Sequence, residues 1–508
     1  MMHLRPACAA LLMGLLLLGF PQPATPRPAT PRPAGTELRV RGRPAIAIVP
    51  PIVILSPGGT AIVSVSAAVP GEIRLGSFDR RVADVVVASG TLRVTARLPG
   101  STVVPLRVGA YRAQLGISVR PPAGVIPRVV EVAVTGAPAP QDLIREAVQR
   151  RLEETVRREP GAIMELGPIA IEGALAPETS TTTEVAVEIR SPYAGPVRGT
   201  VAVTVTNQPL VLADPAALLV SNRPEVITGN GLLFHESLVR DRPARLLYHH
   251  MNGTPSQVRV LKVTLTNPGA AAARVHYLSG IAGPSPDPIH VGFASTARFL
   301  SAVLAGRGYF VEVPPRGKAA FTAYTLAPMA LVSGIMQFQV TEGGPVDLTV
   351  HVRLPWLLDR TVTTDLGPWA FPHPRGTFPG SVVEIVREQP AHEPAHLADL
   401  GVMSNLVDVR TGEPLVGDYG VLYRLRLRLT NPTGSEVATT LTATAAGGLA
   451  RGLFLIDGTP ADVGLMRAGE QRAVTVFTVA PGGTRDIVLV TMPVAGSFYP
   501  VRLALRPR

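Results

Sequence analysis

Hydrophobic and polar positions alternate through most of this chain. Between Ala45 and Val119, short β-branched runs ("AIAIV", "TAIVSVSA", "ADVVVA", "TLRVTARL", "STVVPLRV", "AQLGISV") are broken by glycine and proline. Leu92, Val94 and Ala96 alternate with Arg93, Thr95 and Arg97, the period of two that buries one face of a strand. Strands at this spacing predict a β-sandwich over 45–122, closed by Pro121-Pro122. The period then changes. In "PQDLIREAVQRRLEETVRRE", Leu143, Ile144, Ala147, Val148, Leu152 and Val156 gather on one helical face, and Pro160-Gly161 supplies the stop. This is the only helix the pattern predicts convincingly. Alternating strands flank it ("RVVEVAV", "TEVAVEIR", "VRGTVAVTVTN"), so 123–212 is expected to be a small α+β domain. Its Arg and Glu residues read as a solvated face with i, i+4 pairs.

The remainder carries a weak repeat. "VLKVTLTNPGAAAARVHYL" at 260–278 aligns with "LYRLRLRLTNPTGSEVATTL" at 422–441. Each is an alternating strand ended by Leu-Thr-Asn-Pro, where Pro268 or Pro432 cannot continue a ladder. Two further sandwiches are expected, at 213–372 and 373–508. The fold class is therefore mainly β: tandem immunoglobulin-like β-sandwiches with one small α+β domain.

The N-terminus reads differently. His3 and Arg5 precede the apolar run "ACAALLMGLLLLGF", and "PQPATPRPATPRPAG" follows. Residues 1–24 are expected to be a signal peptide cleaved near Ala24. An uncleaved anchor is the alternative, because a span needs about 20 apolar residues. Residues 25–44 form a proline-rich linker. The single cysteine, Cys8, falls inside the signal, so the mature chain is expected to have no thiolate and no disulfide. No later segment is apolar enough to span stably, and the expected location is extracellular, at the cell surface or in the periplasm.

Two resemblances sharpen this picture. "SFDRRVADVVVASGTLRVTARLPGSTVVPLRVG" resembles the bacterial immunoglobulin-like (group 2) modules of surface adhesins and envelope proteins. The matching residues are Ser77, Asp79, Val82-Ala83-Asp84-Val85, Gly90 and Pro99-Gly100-Ser101. The repeated Leu-Thr-Asn-Pro layout resembles β-sandwich modules related to bacterial cell-adhesion domains. Both resemblances imply spacer or display units.

Charge adds little. The formal net charge is +11, yet lysine occurs only at Lys262 and Lys318. Nearly all the positive charge is scattered arginine, which fits a codon preference better than a nucleic-acid surface, so nucleic acid is not an expected partner. A cell-envelope polymer or a protein partner stays open. Arg424, Arg426 and Arg428 alternate with Leu425, Leu427 and Leu429. They read as a solvent face that discourages edge pairing, or as a short strip that binds an anionic polymer.

Candidate chemistry is thin. His392-Glu393-Pro394-Ala395-His396 spells the zincin motif, which needs a helix to set both imidazoles on one face. Pro394 inside such a helix costs about 3 kcal/mol, and no histidine follows His396. A proline-rich connector between sandwiches is the expectation. His249 and His250 in "YHHMN" would point to opposite faces of a strand; with His235, His276 and His290 in the same domain they are expected to be ordinary strand and turn histidines, a structural metal being the alternative. Gly229 and Gly231 in "TGNGLLF" lack a third glycine and a βαβ unit. Trp356 reads as core. No nucleophile elbow, Walker lysine or S-x-x-K is present. No catalytic residue, cofactor or metal ligand is assigned. The expectation is a non-enzymatic, exported structural or adhesive protein of the cell envelope or surface. The alternatives are a periplasmic assembly or chaperone-like factor, or an exported hydrolase without a local motif.

Overall fold

The computed structural model describes residues 39–40, 43–357, 366 and 373–508. The expected signal peptide with Cys8, most of the proline-rich linker, and Trp369 lie outside them. The chain is mainly β and divides into two compact units, with Val119 closing the first and Arg120 opening the second.

In the first unit, Ile46–Val49, Thr60–Ala67, Thr91–Ala96 and Ala83–Ala88 form one four-stranded sheet. Ile52–Leu55, Tyr111–Val119, Gly100–Val108 and Ile73–Leu75 form the other. This is an immunoglobulin-like sandwich. Leu92, Val94 and Ala96 point inward as the alternation predicts and meet Val63, Val104, Leu106 and Leu115 in one core. Ser89 (φ 40°) and Gly90 (φ 79°) turn the hairpin between Ala83–Ala88 and Thr91–Ala96. Two positive φ angles are what a tight hairpin of this hand demands, which explains the glycine.

The second unit is built on an 11-stranded sheet. Its main path runs Ile163–Leu166, Ser180–Arg190, Val197–Asn207, Val129–Thr135, Gly308–Val313, Ala273–Ser285, Leu331–Glu342, Ala244–Asn252, Ala217–Ser221, Arg375–Pro379. The sheet thus passes through both boundaries drawn from the sequence. Val134 pairs with Tyr309 across the first, and Leu219 with Thr377 across the second. The cores cross as well. One runs from Leu152 and Val203 to Tyr277 and Val350. The other joins Leu218, Leu247 and Phe299 to Leu422, Leu453 and Leu503.

Helix α1 (Gln141–Thr155) buries Ile144, Ala147, Val148 and Leu152, the face expected for it. It stops short of Pro160, because Val156 is already extended and Arg157–Arg158 pairs with Gly124–Val125. A second helix, α2 (Pro288–Leu304), was not expected. Its start is well marked: the Asp287 carboxylate accepts from the His290 amide at 3.0 Å, and Pro288 follows, the usual cap and first-turn residues. Its stripe is blurred by buried Gly292, Ser295 and Thr296, since the helix is covered on more than one side. A Cβ on Gly280 would lie 2.2 Å from the Phe299 amide nitrogen, and one on Gly292 would lie 1.8 Å from the Ala495 carbonyl oxygen. Glycine at both contacts lets α2 rest directly on the large sheet and on the C-terminal sandwich.

That last sandwich pairs two sheets. Val382–Pro390, Leu422–Thr430, Thr484–Thr491, Ala450–Ile456 and Thr459–Met466 make one; Ala395–Leu400, Val501–Pro507, Val437–Ala445 and Gln471–Val479 make the other. The repeated Asn-Pro marks the crossing between facing sheets. Asn267 is buried; its amide donates to Ala271 and Val313 carbonyls, and its oxygen accepts from the Gly269 amide. Asn431 does the same with Ser435, Val479 and Thr433. Asn252 in "NGTP" is a third instance, bonded to Gln257, Leu326 and Thr254. Its different flanking letters hid it from the repeat. Trp356 corrects another expectation: it sits on a turn and is 71% exposed, outside the core.

Candidate functional site

The residues singled out from the sequence do not converge. His392 sits in a turn and His396 on the Ala395–Leu400 strand, where the chain passes between the two sheets of the last sandwich. That connection lies inside one sandwich, not between sandwiches. His392 faces Glu393 at 3.6 Å and His396 faces Asp399 at 3.1 Å. Among the described residues, no group of three or more His, Cys, Asp or Glu could hold a metal ion.

His249 and His250 are buried on opposite faces of Ala244–Asn252. His250 bonds the Ser221 hydroxyl and the Pro224 carbonyl, each at 2.9 Å, and burial pushes it down to about 4. The ring nitrogens of His249 have no hydrogen-bond partner among the described residues, and burial with His250 nearby pushes it down to about 3. The Gly229 and Gly231 loop is clamped by buried Arg259, which donates to the Thr228 and Gly229 carbonyls at 2.7 and 2.8 Å.

Arg424, Arg426 and Arg428 share the outer face of Leu422–Thr430, as the alternation predicts. That strand is interior to its sheet, between Val382–Pro390 and Thr484–Thr491, so it has no edge to protect. Arg424 is ion-paired with Asp214 and Glu384, and Arg428 with Asp486 at 2.8 Å. Neighbouring carboxylates thus neutralise two of the three charges.

A different place gathers chemistry. Beside α1, a cleft of about 440 Å³ is lined by that helix and by strands of the large sheet. The alternation of Ala273–Ser285 puts Tyr277 on the α1 side and Leu278 on the α2 side. Tyr277 is in register with Tyr309, and the rings stack at 5.3 Å and 27°, a favoured aromatic pairing across strands. Arg150 lies over both rings, 5.4 Å from Tyr277 and 4.9 Å from Tyr309. Glu146, one turn earlier on α1, fixes it there. One carboxylate oxygen accepts from Arg150 Nη2 and the other from the Tyr309 hydroxyl, both at 2.8 Å. Small Ala147 on the same helix lines the cleft and leaves it open.

Electrostatics follow from this packing. Burial, reinforced by Glu146, raises the Tyr309 phenol, so it stays a donor. Burial raises Glu154 as well, against the pull of Arg151 and Arg150. At the other end, Arg274 lies 4.2 Å over Phe310 and pairs with Glu342 at 3.1 Å. Arg150 Nη1 and the Tyr277 hydroxyl are buried without a hydrogen-bond partner among the described residues.

Sequence reasoning missed this cleft. Arg150 lay within a helix face expected to be solvated, and the tyrosines are far from it in the chain. The available signal was concentration. Aromatic residues make up only 5% of the chain, yet Tyr277, Tyr309, Phe321 and Phe338 form one cluster with ring separations of 4.5 to 6.2 Å.

No family model matches the chain, and no curated protein matches it. Among solved structures, domains 5-6 of the S-layer protein SbsC are 13% identical, covering 32% of this chain and 96% of that one, with a TM-score of 0.15. A titin Ig tandem is 10% identical over 31% of this chain and 93% of its own, with a TM-score of 0.13. The insect immune protein hemolin is 9% identical over 68% of this chain and 81% of its own, with a TM-score of 0.15. At TM-scores of this size, none of them bears on what this chain does.

Proposed function

We propose that the chain is an exported, non-enzymatic structural or adhesive protein of the cell envelope or cell surface. One observation carries the reading: the buried side chains of Arg245, Asp408 and Asp418 are bonded to distant parts of their own chain. Arg245, 1% exposed, donates to the Ser381 and Gly420 carbonyls at 2.9 Å and to Gln337 at 3.4 Å. Asp408 accepts from Thr377, Arg410 and Thr411 amides, and Asp418 from Met403 and Ser404 amides and the Tyr423 hydroxyl. With the three crossing asparagines, they brace sheets from different stretches of sequence into one body. Such a body suits holding a surface in place. No described helix is long and apolar enough to cross a membrane.

A periplasmic assembly factor is the second reading, favoured by an open sheet edge. Ile163–Leu166 pairs only with residues 187–190 of Ser180–Arg190. Among the described residues, 180–185 have no strand on that side, and an open edge can accept a partner's strand. Fractionation of cells expressing the full chain tests both. Surface or envelope recovery supports the first reading, and a purely soluble periplasmic pool supports the second. Retention of the chain in the cytoplasm overturns both.

A further inference from the structure

We propose that a slot in the large sheet, between Val129–Thr135 and Gly308–Val313, receives an extended peptide from a partner protein and pairs with it along both edges. This goes beyond the envelope reading, and each can fail without the other.

The two strands are neighbours, but their ladder holds only Val134 with Tyr309 and Thr135 with Gly308. Both run on, to Val129 and to Val313. Over that length, among the described residues, each is paired only on its far side, one with Val197–Asn207 and the other with Ala273–Ser285. Which main-chain groups face the slot follows from the alternation of strand hydrogen bonds. The Arg128 and Val134 carbonyls accept from the Ala202 and Gln208 amides, so even-numbered residues of this strand bond away from the slot. Glu131 therefore turns its N–H and C=O into it. Gly308 stands opposite Thr135, which sets Glu312 on the facing edge in the same sense. Among the described residues, neither main chain has a partner across the slot. Groups at this spacing are met by another strand.

The cleft beside α1 is this slot. Its lining takes consecutive residues from each edge, Glu131 to Ala133 and Phe310 to Glu312. Consecutive strand residues point to opposite faces, so the void passes through the plane of the sheet. Both faces are covered. α1 brings Ala147 and Arg150 to one; on the other, Arg274 lies 4.2 Å over Phe310 and bonds Gln208. The end is open, with Val129 62% exposed. A slot covered on both faces, open at one end and edged by main chain fits an extended chain that enters endwise. On the α1 side its neighbours are Val132, Val311 and Ala147, so its side chains there should be small and apolar. Those pointing outward, between Glu131 and Glu312, should be polar.

Fluorescence anisotropy of a labelled Thr-Ala-Thr-Ala-Thr-Ala-Thr peptide with the full chain tests this. The peptide should bind saturably. With proline as its central residue it loses a main-chain donor and should bind about tenfold more weakly; with tryptophan there, too large for the α1 side, it should lose as much. Glu312→Pro removes an N–H that faces the slot and spares the ladder to Ala273–Ser285, so it should weaken binding about tenfold. Thr182→Pro, on the open edge of Ser180–Arg190, should leave binding unchanged. If Glu312→Pro does not fold, Thr182→Pro and the tryptophan peptide decide. The proposal is overturned if the first peptide does not bind, if the proline or tryptophan peptide binds as tightly, or if Thr182→Pro abolishes binding. It is overturned too if the chain alone dimerises and Glu312→Pro makes it monomeric, which would seat a second copy in the slot.

Discussion

Replacing Gly292 with alanine sets two effects of opposite sign against each other. In an exposed helix interior the change stabilises by about 1 kcal/mol, because alanine is the better helix former. Here the new Cβ would stand 1.8 Å from the Ala495 carbonyl oxygen and 2.6 Å from its carbon. Both obstacles are main chain, so no rotamer change relieves them. The helix would have to withdraw by more than an ångström to reach ordinary contact. Phe299 and Leu300, 0% and 1% exposed on α2, would be drawn partly out of their core. Overpacking of this kind costs about 1–3 kcal/mol, occasionally more. A clash this short belongs at the upper end, leaving a net loss of about 2 kcal/mol after the helix gain. Urea unfolding of Gly292→Ala reads it as a lower midpoint with an unchanged slope. Gly434→Ala, at a site with nothing within 4 Å of the added atom, is the control and should be near neutral. A Gly292→Ala chain as stable as the original, or more so, would refute the close seating of α2.

Acid sensitivity should come from buried histidines. Burial holds His250 and His276 down to about 4, against 6.5 when unfolded. Between these values only the unfolded chain takes up the protons, so their stability is fully present above about pH 6.5 and is lost as pH falls towards 4. Each contributes up to about 3 kcal/mol. Urea midpoints should fall between pH 7 and pH 4.5, and less steeply in His250→Gln; a flat profile would count against the buried neutral rings. At a sheet crossing, Asn431→Ala removes the bonds to Ser435, Val479 and Thr433 and should cost about 2–3 kcal/mol by urea unfolding. A loss under about 0.5 kcal/mol, the level of an ordinary surface change, would remove Asn431 from the bracing set.

Much of the architecture was legible in the sequence because its signals are local. Alternation at Leu92, Val94 and Ala96 needs only one strand and one buried face, and the α1 stripe only its own turns. Leu-Thr-Asn-Pro marked two sheet crossings because proline ends a ladder wherever it stands. What escaped depends on contacts between distant segments. α2 is covered on several sides, which mixes small and polar residues into its stripe and weakens the periodicity. The shared sheet rests on pairings such as Val134 with Tyr309, which no local pattern encodes. The cleft is harder still, since Arg150 and Tyr277 become neighbours only when α1 docks on that sheet. The arginine strip shows the opposite case: its alternation was visible, but the carboxylates that neutralise it come from other strands and from Asp214.

Scanning calorimetry of the full chain tests the central claim, that bracing makes Arg120–Arg508 a single body. The account predicts one cooperative transition for this unit, separate from that of the first sandwich, with calorimetric and van't Hoff enthalpies in agreement. Gly292→Ala should shift that transition as a whole. Independent melting of the segments on either side of residues 358–372, with only one of them moved by Gly292→Ala, would contradict it.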